Sequence, residues 1–320
     1  MKKKLLTSLI SACACISLCA CGNSAASDSD EMKITATIFP VYDWCRNLTE
    51  GVEGIDLTYL MSQGTDLHSF QPSADDMVRI AESDLFIYVG GESDEWAEKA
   101  ASQAVNPQFK ETVLMDHLGS SLKEEEDFGE EHDHEHEDVE YDEHIWLSLS
   151  NAAFCVQAIA ESLMEQDPDH AAQYEENLES YLKEIESLDE EFKTAVSSVD
   201  DPFMIVADRF PFRYLCDDYG ISYDAAFAGC SAETEASFDT VLRLAQKLDE
   251  KGLKYVITTE SNDGKIAKTV IENTAKKDQK ILALDSMQSV TADQVKNGTT
   301  YLQVMKDNLS VLRQAFVDKE

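Results

Sequence analysis

"DPDHAAQYEENLESYLKEIESLDEEFKTAV", Asp167 to Val196, is the most regular stretch of the chain, and its reading decides the fold. Its apolar positions, Tyr174, Leu178, Tyr181, Ile185, Leu188, Phe192 and Ala195, are spaced 4, 3, 4, 3, 4 and 3 residues apart. That spacing keeps one face of an α-helix apolar along its whole length. Asp167 is the expected N-cap and Pro168 the first helical residue, where a missing N–H costs nothing. At 1.5 Å per residue, a helix of about 30 residues reaches roughly 45 Å, longer than one small domain is wide. A helix this long in mid-chain is expected to bridge two lobes. The alternative is that its apolar seam dimerises as a coiled coil.

Working outward in both directions, strands alternate with helices. On the amino-terminal side "KITATIF" is β-rich up to Pro40, and "YDWCRNLTEG" is a helix closed by Gly51. The strand "IDLTYLM" comes next, then the helix "SADDMVRIAES" with Ser73 as N-cap. The buried strand "LFIYVGG", the helix "EWAEKAAS" and the strand "TVLMD" complete that half, and "IWLSLSNAAFCVQAIAESLMEQ" is mainly helical. On the carboxyl-terminal side the strands "FMIVAD", "ISYDAAF", "LKYVITT" and "KILALDS" are separated by helices, and "YLQVMKDNLSVLRQAF" is a closing amphipathic helix. Strands separated by helices pair in parallel. The expected class is therefore α/β: two (β/α) lobes, 33–166 and 199–320, joined by a rigid linker helix over 167–198.

With 320 residues, 43% of them hydrophobic, the chain can fill two cores. Its formal net charge is −37, and loss of Lys2, Lys3 and Lys4 with a leader would make it −40. So negative a surface argues against nucleic acid and anionic membranes as partners and is compatible with cations. The leader reading rests on the basic start and the apolar run Leu5 to Leu18, which is too short to span a bilayer of about 30 Å. "LCAC" then Gly22 resembles the lipobox of bacterial lipoproteins, which makes 1–20 a signal peptide and Cys21 the acylated residue. Residues 21–32 are then a flexible tether, and an extracytoplasmic, lipid-anchored protein is expected, monomeric if the long helix bridges two lobes rather than dimerising. Cys45, Cys155, Cys216 and Cys230 remain beyond it. An oxidising compartment permits disulfides but does not pair them, and Cys45 and Cys155 read best as small buried hydrophobes.

Two histidines have settings suited to chemistry. His68 lies in "QGTDLHSFQPSADD", in a loop after the second strand, and loops at strand ends of α/β sheets are where ligands sit. His144 lies in "DEHIWLSLS", where acidic sequence gives way to apolar sequence. The bland reading of either is a solvated or core histidine. His117 and His170 have no comparable setting.

"GTDLHSFQPS" resembles the G-x-D-P-H-x-[FY]-[EQ]-P-S signature of the metal-binding lipoproteins of ABC importers for zinc and manganese. "EHIWLSLSNA", "YLCDDYGI", "AETEAS" and "YLQVMKDNLSVL" follow that family's order, so the resemblance covers about Lys33 to Phe316. It implies two lobes, a rigid linker helix, and one metal ion in the interlobe cleft held by His68 and His144. It also implies an ABC permease and ATPase as partners. The chain departs from the family pattern at the third ligand. Arg209 stands at that place in "RFPFRYL", and a guanidinium cannot ligate a cation. Asp208 is the expected substitute, Asp285 in "ILALDSM" the fourth ligand, and Glu260 in "YVITTE" a reserve, while Glu235 reads as structural. An oxygen-rich set raises the standing of Mn²⁺.

Between Glu124 and Glu143 there are thirteen acids and three histidines, His132, His134 and His136. Within the mobile loop 123–143 such residues can chelate weakly. In the family an acidic, His-rich insert at this place marks zinc members, so Zn²⁺ is the expected cargo and Mn²⁺ the alternative. A metallohydrolase is a distant alternative, since no HExxH, GxSxG or Gly-rich phosphate loop occurs. A surface adhesin is another.

Overall fold

The computed structural model describes residues 31–126, 128, 140–230 and 235–317. The signal peptide and Cys21, and His132, His134 and His136, lie outside the described residues. In the first half, β1 (Met32–Ala36), α1 (Phe39–Leu48), β2 (Ile55–Tyr59), α2 (Ala74–Glu82), β3 (Leu85–Tyr88), α3 (Glu95–Ala101) and β4 (Lys110–Val113) alternate. Their strands form a parallel sheet in the order β2-β1-β3-β4. Ser73 caps α2 as expected, its hydroxyl accepting from Asp76 N while the Asp76 carboxylate returns a bond to Ser73 N. Pro40 falls in the first turn of α1, so the helix begins at Phe39, three residues earlier than the sequence suggested.

After α4 (Leu149–Gln166) and α5 (Ala171–Ser197), the pattern repeats. It runs β5 (Phe203–Phe210), α6 (Arg213–Tyr219), β6 (Ser222–Ala228), α7 (Phe238–Lys251), β7 (Tyr255–Thr259), α8 (Lys265–Glu272) and β8 (Lys280–Leu284). This second sheet is also parallel, in the order β6-β5-β7-β8. The helices α9 (Ala292–Lys296) and α10 (Tyr301–Val317) close the described chain.

The long helix spans 27 residues and packs against α1 and α4 of the first half and α6 and α10 of the second. Tyr174, Tyr181, Ile185, Leu188 and Phe192 of its seam are buried, with Val196 rather than Ala195 as the last. Burying each such side chain contributes about 1.5–3 kcal/mol, so the seam is consumed within this chain. Asp167 does not cap the helix. A short 3₁₀ turn over Pro168–His170 precedes α5, and the Asp167 carboxylate lies 2.7 Å from His170 Nδ1 and accepts from the Tyr174 hydroxyl at 2.9 Å.

The halves are also tied directly. Tyr301 donates its hydroxyl to Trp146 O (2.7 Å) and its N–H to Asp43 (2.8 Å), and the Trp146 indole donates to Ser286 O at 2.8 Å. Tyr59 donates to Val290 O at 2.7 Å, and one apolar core runs through both halves. Cys45, Cys155 and Cys216 are buried free thiols, and Cys230 is free and half-buried.

Candidate metal centre

The carboxyl ends of both sheets supply the site. His68 sits in the 3₁₀ turn Leu67–Ser69 after β2, and Ser93 in the turn Glu92–Asp94 after β3. His144 precedes the turn Ile145–Leu147 that leads into α4, Arg209 is in β5, and Gly229 and Cys230 directly follow β6.

Each histidine is seated by an aspartate two residues earlier. Asp66 Oδ1 accepts from His68 N at 3.0 Å, and Asp142 Oδ1 accepts from His144 N at 2.8 Å. This local bond from a short acidic side chain to the backbone stabilises a tight turn. The rings are then fixed from behind. His144 Nδ1 lies 2.9 Å from Asp142 Oδ1, and His68 Nδ1 lies 2.8 Å from Ser93 Oγ and 3.6 Å from Glu143 Oε2. With Nδ1 engaged, Nε2 of each ring is left to face the other, and the two Nε2 atoms are 3.2 Å apart. Two nitrogens bound tetrahedrally to one Zn²⁺ at 2.0–2.1 Å would be about 3.3 Å apart. A carboxylate behind a ligating imidazole fixes its tautomer and raises its basicity.

The electrostatics follow from burial. His144 is fully buried; burial is the largest single influence and opposes its charge, but the carboxylates of Asp142, Glu143 and Asp66 together outweigh it and the net shift is upward. His68 is pushed down to about 3, first by burial and then by the charge on His144. With both Nδ1 atoms engaged, the two facing Nε2 atoms are the ring positions open to a cation. Burial pushes the Glu143 carboxyl up; its Oε1 accepts from Ser93 N at 2.8 Å, while its buried Oε2 has no hydrogen-bond partner. Gly91, at φ +87°, leaves room for this carboxylate, because a Cβ there would stand 2.4 Å from Glu143 Oε1.

Among the described residues, the one group of three or more His, Cys, Asp and Glu donors close enough to share an ion is His68, His144 and Cys230, with donor atoms within 4.8 Å of one another. Asp208 and Asp285, the expected oxygen donors, fall outside it. Asp208 is 6% exposed and its oxygens are already engaged: Oδ1 accepts from Arg209 N, and Oδ2 from Thr259 N and Oγ1. It ties β5 to β7. Asp285 Oδ1 accepts from Met287 N, and burial followed by the Glu260 charge pushes its carboxyl up to about 6. Glu260 accepts from Ser286 N, Ser286 Oγ and Ser289 Oγ. Glu235 is exposed beside Lys265. Arg209 does not pair with the Asp208 side chain; its guanidinium reaches Asp66 Oδ2 at 2.7 Å and clamps the His68 turn. Its charge holds the Asp66 carboxyl below the usual range against the opposing effect of burial. A cavity of about 220 Å³ lies beside this pair, lined also by Thr259, Glu260, Ser286 and Ser289.

The sequence reading left Cys230 only as a cysteine that an oxidising compartment could pair, not as a metal donor. A signal was present: a Gly-Cys pair directly after a strand, in "AAFAGC". The base of the acidic insert packs beside it. Glu124 bridges Tyr141, Asp142 N donates to Lys123 O, and Cys230 N donates to Glu125 Oε1 at 2.9 Å.

The family model described as zinc-uptake complex component A, periplasmic (ZnuA), matches residues 34–315. The chain belongs to this family. The zinc-binding lipoprotein AdcA of Streptococcus pneumoniae (strain ATCC BAA-255 / R6) is 28% identical over 313 residues, covering 98% of this chain and 61% of that protein. The high-affinity zinc uptake system protein ZnuA of Bacillus subtilis (strain 168) is 28% identical over 319 residues, covering 97% of each. The crystal structure of Zn(II)-bound AdcA from Streptococcus pneumoniae aligns with a TM-score of 0.71 at 26% identity, over 91% of this chain and 58% of that one. This ZnuA-family chain thus spans about six-tenths of the AdcA proteins it resembles and nearly all of the Bacillus protein.

Proposed function

We propose that this protein captures Zn²⁺ outside the cytoplasmic membrane and delivers it to the permease and ATPase of an ABC importer. Cys21 carries the lipid anchor, the protein acts as a monomer, and no reaction is catalysed. The observation that carries the reading is the pair of buried imidazoles, drawn from separate turns, whose Nε2 atoms face each other at 3.2 Å with both rings fixed from behind. Neutral imidazoles suit a borderline cation. The Mn²⁺ alternative drew on carboxylate donors at Asp208 and Asp285, and neither falls in the donor group of His68, His144 and Cys230. The dimerising adhesin drew on a free helix seam, and that seam is buried within the chain.

Calorimetry on chelator-stripped protein tests the capture reading. One tight equivalent of Zn²⁺, bound in preference to Mn²⁺ and lost in His68→Ala, is expected. Tighter binding of Mn²⁺, or a tight equivalent that survives loss of His68, would refute it.

A further inference from the structure

The two imidazoles leave a small cation short of protein donors, and the expected third position offers none. Arg209 is a cation engaged with Asp66, and Asp208 is bonded to Thr259 and to the Arg209 backbone. On the other side of the His144 ring the chain comes unusually close. A Cβ on Gly229 would lie 3.0 Å from His144 Cε1, 3.1 Å from His144 Nδ1 and 2.9 Å from Phe210 O. Only glycine lets the segment after β6 pass this near the ring, and the next residue is Cys230. Its position is fixed by the bond from its N–H to Glu125. Its Sγ falls within 4.8 Å of the nitrogens offered by both His68 and His144.

Resting on the capture reading, we propose that Cys230 supplies a thiolate as the third protein donor to the bound cation. The site is then a two-imidazole, one-thiolate centre drawn from both lobes. Around a tetrahedral Zn²⁺, with Zn–N near 2.05 Å and Zn–S near 2.3 Å, nitrogen and sulfur lie about 3.6 Å apart. A shift of about 1 Å at Sγ, within reach of a side-chain rotation at a half-buried residue, closes the set. The Sγ–H bond breaks as the S–metal bond forms, and the proton leaves to solvent, as for other thiolate sites. A thiolate discriminates where imidazoles alone do not: it favours Zn²⁺ and softer ions over Mn²⁺, which prefers oxygen. Residues 68 and 144 thus set the place for the ion, and residue 230 its softness.

Co²⁺ replaces Zn²⁺ as an optical probe in the chelator-stripped full chain. The expected result is thiolate-to-cobalt charge-transfer absorption in the near ultraviolet, saturating at one equivalent and removed by added Zn²⁺. It should be absent in Cys230→Ser, which keeps nearly the same volume. Loss of an outer partner already costs roughly tenfold in affinity, so Zn²⁺ binding should weaken by at least that much in Cys230→Ser, while Mn²⁺ binding changes less. One tight equivalent without the charge-transfer band overturns the thiolate and leaves zinc capture standing. A band of equal strength in Cys230→Ser assigns the sulfur to another cysteine and also overturns it. Failure of the parent chain to bind any tight equivalent overturns both proposals. The parent spectrum carries the test even if the variant fails to fold.

Discussion

The two halves are built on one plan and used differently. Each has four parallel strands with the second at one edge and the first beside it, β2-β1-β3-β4 and β6-β5-β7-β8, and each directs strand carboxyl ends toward the site. The amino-terminal half and the segment entering α4 contribute imidazoles, each seated by an Asp-x-His turn. The carboxyl-terminal half contributes a clamp and a thiol. Even the two Asp-x-His turns diverge: Asp142 bonds both the backbone and the ring of its histidine, whereas Asp66 bonds the backbone and gives its other oxygen to Arg209. A shared fold therefore places side chains, and the neighbours of each side chain assign its role.

The largest effect is expected at His144, the buried partner common to His68, Asp142 and Gly229. His144→Ala should abolish the single tight equivalent in calorimetry; retention of it would show that the imidazole pair is not the site. Next in size is Asp142→Asn, which leaves a neutral group behind His144. Affinity for Zn²⁺ is expected to fall roughly 10–100-fold. An unchanged isotherm would remove Asp142 from the arrangement.

Arg209→Ala separates clamp from ligand. It breaks a partly buried ion pair and should lower stability by about 2 kcal/mol in denaturant titration, the scale of a hydrogen bond to a charged group. Metal stoichiometry should stay at one; a loss of the equivalent would mean that the clamp and the centre cannot be separated. The smallest effect is expected at the acidic insert. Removing 129–139, while keeping Glu125 and the Glu124–Tyr141 bridge, should leave the tight equivalent and eliminate only weak additional ones. Loss of the tight equivalent would make the insert part of the centre.

The alternating pattern of short apolar strands and helices was sufficient for the two parallel sheets, because that periodicity reports burial in a layered α/β fold. The 4-3 seam from Tyr174 onward was likewise sufficient for the long helix, since one apolar face requires a partner along its length. Its start was not legible. Asp167 has the chemistry of a cap, but a 3₁₀ turn intervenes and its carboxylate is taken by the nearby His170 and Tyr174 side chains instead of a helix N–H.

The site divides in the same way. The Asp-x-His pairs at 66–68 and 142–144 are local motifs, and both histidines are candidates on the linear chain alone. The remaining members depend on contacts between residues far apart in the chain. Thr259 takes up Asp208 from 51 residues away, Asp66 takes up Arg209 from 143 away, and Gly229 brings Cys230 to His144 across two lobes. Carboxylates are good donors in isolation, and nothing in the linear chain says which of them will already be hydrogen-bonded. That choice is made in the folded chain, where long-range partners fix which way each carboxylate points and so which donors converge on one position.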